Sequence, residues 1–219
     1  MTRRRFDQSL AQMHRELLQM GALIEEQIQD MIIALQNQDK ELAAQIIKRD
    51  DQVDTLEEHL EKECIALIAK EQPLARDLRT IASVLKIITD LERIADHCSD
   101  IAQYTIRLAD EPYMKPIVHI PQMAEEIKAM VSDMIHAYIT KDVALAQSVI
   151  AFDDVIDRAF DEIVVELGEK MKENSNHVNQ GINLIFITKY LERMADHASN
   201  VCHWIIYHVT GELDQHSNN

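Results

Sequence analysis

The stretch Leu91-Glu92-Arg93-Ile94-Ala95-Asp96-His97 returns one hundred residues later as Leu191-Glu192-Arg193-Met194-Ala195-Asp196-His197, identical at six of seven positions. The match runs far beyond this motif. At an offset of 103, Asp30-Met31-Ile32 corresponds to Asp133-Met134-Ile135, Asp39 to Asp142, and Ala43 to Ala146. Asp50, Asp51 and Asp54 correspond in the same way to Asp153, Asp154 and Asp157. The offset falls to 100 at the opening motif, as expected for a loop three residues longer in the first copy. A chain that states one unit twice folds as two copies of that unit.

The unit is helical. Leu10, Met13, Leu17, Met20, Ile24, Ile28, Met31, Ile32 and Leu35 recur every three or four residues, predicting a helix from about Asp7 to Gln36. Gln36-Asn37-Gln38-Asp39 is a polar turn, and Leu42, Ile46, Val53, Leu60, Cys64 and Leu67 stripe a second helix to about Glu71. Gln72-Pro73 ends it, since proline is excluded from a helix interior. A third helix carries Ile81, Val84, Leu85, Ile88, Leu91, Ala95 and Ala102 to about Ala109. Pro112, Pro116 and Pro121 mark a linker over residues 110–121, and the pattern then starts again. Helices are predicted over Gln122–Ile139, Asp142–Glu173 and Val178–Thr210, with a frayed polar tail at Asp214–Asn219. The expected fold is all-α: two tandem, pseudo-symmetric three-helix bundles of six long antiparallel helices, divided into residues 1–110 and 111–219.

Charge and composition narrow the function. With four glycines, four prolines and a net charge of −16, the chain suits long helices and repels nucleic acid and anionic membrane surfaces. Cys64, Cys98 and Cys202 lack metal-type spacing and read as buried residues in a reducing compartment. No apolar segment follows the basic Met1–Arg5 stretch and no run reaches membrane-spanning length, so a cytoplasmic protein without membrane insertion is expected. Trp204 and Tyr207 are expected to pack the last turns of the final helix.

The chemistry lies in the carboxylates. At about 100° per residue, with Ile88 at zero, Glu92 falls about 40° away, Asp96 about 80° and Asp100 about 120°. Asp50 and Asp54 leave the apolar arc of the second helix in the same way. Glu57 and Glu61 share that flank but become Phe160 and Val164 in the second copy. Asp50 and Asp54 persist as Asp153 and Asp157, Glu92 and Asp96 as Glu192 and Asp196, and Asp100 becomes Asn200, still an oxygen donor. Two acidic pairs on antiparallel neighbours repel each other, and a divalent or trivalent cation with oxygen ligands would reverse that cost. The competing reading is a solvated acidic flank neutralised by Arg93 and Arg193. His97 and His197 fall near the opposite side, as surface or partner-facing residues rather than ligands. No Glu-x-x-His pair of the di-iron type, phosphate loop or nucleophile elbow occurs. A carboxylate-ligated metalloenzyme or metal store, and a purely structural interaction module, remain as alternatives.

The repeated Leu-Glu-Arg-x-x-Asp-His, with Gln72-Pro73-Leu74-Ala75-Arg76-Asp77-Leu78-Arg79 ahead of the third helix, resembles the PhoU family of phosphate-transport accessory and regulatory proteins. The resemblance spans nearly the whole chain. It implies two three-helix bundles, a homodimer, and metal ions held by paired Glu/Asp-x-x-x-Asp motifs. Matched residue by residue, those are Asp50, Asp54, Glu92, Asp96 and Asp100, and then Asp153, Asp157, Glu192, Asp196 and Asn200. Fe, Zn, Mn, Mg or Ca would serve as the ion. The resemblance further implies a non-enzymatic negative regulator coupling the phosphate ABC transporter, through its ATPase, to a sensor histidine kinase. The second copy carries Asn174-Ser175-Asn176-His177-Val178-Asn179 in place of the Gln-Pro opening, so a contact made there would belong to the first half alone.

Overall fold

The computed structural model describes residues 2–114 and 117–212. They form α1 (Thr2–Asn37), α2 (Lys40–Glu71), α3 (Arg76–Leu108), α4 (His119–Thr140), α5 (Val143–Glu173) and α6 (Val178–Thr210), with a short 3-10 turn at Ser175–His177. No strand occurs among the described residues. Helix α1 starts five residues earlier than its apolar pattern predicts, because Phe6 extends the stripe ahead of Leu10 and is buried in the core. Helix α4 starts at His119 rather than Gln122, and Pro121 sits inside its first turn, where a missing N–H costs nothing. The tail Asp214–Asn219 lies outside the described residues.

The two short turns repeat like the helices. Gln38 and Lys141 both adopt left-handed backbone, with φ of 53° and 56°. Asp39 and Asp142 follow as N-caps: Asp39 accepts from the Glu41 and Leu42 amides at 3.0 Å and Asp142 from the Leu145 amide at 3.0 Å. Each cap satisfies donors that a helix start leaves orphaned.

Helix α3 packs on α1 and α2, α6 packs on α4 and α5, and the two bundles meet along α3 and α6. These two run antiparallel, since His97 faces His197 and Tyr104 faces Tyr190 and Phe186. A helix covered on three sides buries residues around most of its girth. Hence Ile87, Ile88, Leu91, Ile94, Ala95, Cys98, Ile101 and Ala102 of α3 are all buried. The bundles also touch between α1 and α4, where a Cβ on Gly21 would come within 3.0 Å of Ile135 Cδ1. All three cysteines are buried and free, and burial pushes their thiols well up, so they serve as packing groups. Trp204 is half-buried against the core, its ring edge-on to Tyr207 at 5.9 Å. No helix among the described residues is long and apolar enough to cross a membrane.

Candidate metal centre

Helices α2 and α3 are joined by a tight connection and lie side by side, so acidic flanks on each meet at one seam. Asp50, Asp54 and Asp96 each place a carboxylate oxygen within 4.8 Å of the others. Asp50 is the deepest of the three, and its Oδ1 is buried with no hydrogen-bond partner. An unpartnered buried carboxylate oxygen beside two further carboxylates is costly as it stands and suits a cation. The electrostatics agree. Burial, with Asp96, Asp54 and Asp100 nearby, raises the Asp50 carboxyl to about 6, against the pull of the Ser99 hydroxyl. Glu92 rises to about 7, first by burial and then through Asp96, and Asp54 shifts upward for the same reasons.

The other two acids of the first copy flank this cluster. Glu92 is held by Arg93, whose Nε lies 3.4 Å from Glu92 Oε2 while its Nη1 donates to Asp96 Oδ2 at 2.8 Å. Asp100 turns toward His97, with Oδ2 at 3.4 Å from Nδ1. Arg93 is thus the counter-ion that the solvated-flank reading anticipated, yet it leaves the orphaned Asp50 oxygen untouched.

The second copy repeats the defect. Asp153 Oδ1, the counterpart of Asp50 Oδ1, is also buried without a partner. Burial and then Asp196, Asp157 and Glu192 raise its carboxyl to about 7. Asp157 and Asp196 shift upward too, burial first and Glu192 second in each. Here, however, Lys189 Nζ donates to both oxygens of Glu192 at 2.5 Å and lies 5.3 Å from the centroid of the Phe160 ring. Thr89 occupies the corresponding place in the first copy, and Asn200 is exposed. The second copy thus carries an ammonium ion of its own, and among the described residues its acids form no cluster within 4.8 Å like that of Asp50, Asp54 and Asp96. Sequence reasoning missed Lys189, although the Thr89-to-Lys189 change stands in the aligned repeats.

His97 and His197 are not surface residues. Their rings meet at 5.6 Å where α3 crosses α6, and His197 Nδ1 lies 2.9 Å from Asp90 Oδ1. Both rings pack into the other half of the same chain, and His97 Nδ1 also reaches Asp100 on its own helix.

The raised carboxyls make a pH prediction. Asp50, Asp153 and Glu92 hold protons more tightly folded than unfolded. Their contribution to stability is therefore complete below the unfolded carboxylate range and is lost as pH rises through about 6 to 7. In chelator, Asp50→Asn with Asp153→Asn should leave stability unchanged near pH 4 and raise it near pH 8. After screening, about 1 kcal/mol per site is expected, or about 2–4 °C in Tm. Thermal denaturation of variant and parent at both pH values checks this; an equal gain at both would mean that ionisation is not the cause.

The profile of the PhoU domain matches residues 17–105 and again 120–205, one copy on each bundle. The chain belongs to the PhoU family. It is 41% identical over 213 residues to a phosphate-specific transport system accessory protein PhoU homolog of Clostridium acetobutylicum, covering 97% of each chain. It is 29% identical to the phosphate-specific transport system accessory protein PhoU of Escherichia coli, covering 96% of this chain and 88% of that one. The crystal structure of PhoU from Pseudomonas aeruginosa superimposes with a TM-score of 0.92 at 35% identity, covering 94% of this chain and all of that one. The all-α architecture expected from the repeat is the architecture of the family.

Proposed function

We propose that this PhoU-family chain is a cytoplasmic regulatory adaptor of phosphate uptake, a negative regulator rather than an enzyme. It would pass the state of a phosphate ABC transporter, through its ATPase, to a sensor histidine kinase and so silence the phosphate-starvation response. Each half, residues 1–110 and 111–219, carries one carboxylate centre for a metal ion, and the chain acts as a homodimer. The observation that carries the reading is the paired defect at Asp50 Oδ1 and Asp153 Oδ1, at equivalent places of a chain matching PhoU proteins over nearly its whole length.

The donor set fits a hard cation such as Mg, Mn, Ca or Fe, since the cluster offers only carboxylate oxygen. When bound, the ion supplies positive charge that lets the crowded acids ionise together. Asp50, Asp54 and Asp96 would hold it, with Glu92 and Asp100 at its edge; Asp153, Asp157 and Asp196 would hold the second. The acidic exterior then offers complementary charge to basic faces of partner domains, which speeds and orients docking. Affinity capture from the native host tests the adaptor reading. A phosphate-transporter ATPase and a histidine kinase should be retained, and deletion should derepress starvation genes in rich phosphate. Repression that persists after deletion would end the proposal.

A further inference from the structure

A second set of ligating side chains lies apart from the carboxylate centres, on the seam between α1 and α2. Glu16 of α1 meets His59 and Glu63, one turn apart on α2, and one donor atom from each lies within 4.8 Å of the others. His59 Nε2 is 3.5 Å from Glu16 Oε2 and 3.7 Å from Glu63 Oε1. Those separations are too long for hydrogen bonds. They are close to the roughly 3.3 Å between ligand atoms of a tetrahedral zinc site with bonds of about 2.0–2.1 Å.

The surroundings prepare the donors. Gln12 Nε2 donates to Glu16 Oε1 at 2.6 Å, and Arg15 in turn donates to Gln12. This outer shell fixes the carboxylate and leaves Oε2, buried and without a hydrogen-bond partner, turned to the imidazole. A groove of about 260 Å³, lined in part by Gln12 and Glu63, opens beside the set.

The internal repeat supplies an independent observation. At the offset of 103, Glu16, His59 and Glu63 correspond to His119, Glu162 and Glu166. One imidazole and two carboxylates occupy the same three positions in both halves, but the histidine has moved to the other helix. His119, Glu162 and Glu166 line one groove of about 450 Å³. There His119 Nδ1 lies 2.9 Å from Glu166 Oε2, a closed hydrogen bond. The second-half set shows what a simple histidine–carboxylate clasp looks like, and the first-half set, held apart by most of an ångström more, is not one.

We infer that Glu16, His59 and Glu63 form a site for a first-row divalent cation of the zinc class, bridging α1 and α2. Three protein ligands leave a fourth position open, and the His59 side chain is 54% exposed, so the ion exchanges rather than being locked in. The mixed nitrogen and oxygen donors separate this site from the all-carboxylate centres of the α2–α3 seam.

Imidazole nitrogen NMR on the full chain, titrated with Zn(II) at neutral pH, reads this site through the His59 resonance, separately from that of His97 beside Asp100. His59→Gln assigns the resonance. The His59 nitrogen signal should shift to saturation near one equivalent beyond whatever the carboxylates absorb, and Glu63→Gln and Glu16→Gln should each weaken that shift tenfold or more. Circular dichroism confirms that the near-isosteric variants remain folded. A His59 signal unmoved at tenfold excess Zn(II), or one that moves with the same midpoint in both glutamine variants, overturns the proposal. Either result leaves the carboxylate centres untouched.

Discussion

Asp50→Asn combined with Asp96→Asn should abolish cation binding at the first centre, lowering its affinity for Mn(II) at least a hundredfold, with the helical fold intact. The two substitutions remove two of the three carboxylates that meet within 4.8 Å. Each amide keeps an oxygen donor but loses the charge on which a hard cation depends. Any metal retained on purification without chelator should fall by more than half in the variant, since Lys189 is expected to weaken binding in the second copy. Without metal it should be at least as stable as the parent near neutral pH. Its Asp50 carboxyl, raised by burial and by Asp96, no longer has to ionise at a buried position. Loss of metal together with a stable apoprotein separates ligation from unfolding. Calorimetric titration and elemental analysis supply the readings. Unchanged affinity would show that the acids are a solvated flank balanced by Arg93.

The repeat made much of this visible in advance, for a physical reason. Apolar spacing reports one face of one helix, so α2, α5 and α6 ended where their stripes ended. The same spacing says nothing about a helix packed on two sides. From the angle of His97 alone, the side opposite the acids looked like solvent, yet α6 lies there, and only the antiparallel pairing of α3 with α6 puts His97 against His197. The prolines misled in a similar way. Pro112, Pro116 and Pro121 read as one linker, but a proline in a first turn belongs to the helix. At the centre, the i,i+4 pairs placed the acids on one flank without ranking them. That Asp50 lies deepest and that Arg93 draws Glu92 aside depend on side-chain depth and direction, which spacing does not encode. Lys189 was different: its place opposite Thr89 could be read from the aligned halves, as could the exchange of His59 with His119 across a helix pair.

The Lys189 difference leads to the second large effect. In the first copy a cation would meet three converging carboxylates with Thr89 alongside; in the second, an ammonium ion already holds both oxygens of Glu192. A doubly charged ion and an ammonium ion about 5 Å apart at an effective dielectric of about 20 repel by about 7 kcal/mol, and solvent screening reduces that several-fold. Lys189→Thr should therefore tighten Mn(II) binding at the second centre about tenfold, and Thr89→Lys should weaken the first by a similar factor. Measured in the Asp50→Asn, Asp96→Asn background, where only the second centre remains, the Lys189→Thr gain is read without overlap. The substitution also frees Glu192, whose charge then stands beside Asp153, Asp157 and Asp196 uncompensated. The metal-free variant should accordingly be less stable than its parent at pH 8, and added Mn(II) should restore more stability than it gives the parent, since stabilisation by a ligand of the native state grows with the logarithm of its concentration over Kd. An affinity that stays level or falls when Lys189 is removed would mean that the ammonium ion does not compete at all, and that the two centres differ for another reason, with Asn200 the remaining candidate. A symmetric pair of bundles would then hold its ions asymmetrically through one neutral ligand, whereas the lysine reading gives the second half a tethered cation of its own and leaves the first half as the one that answers to metal.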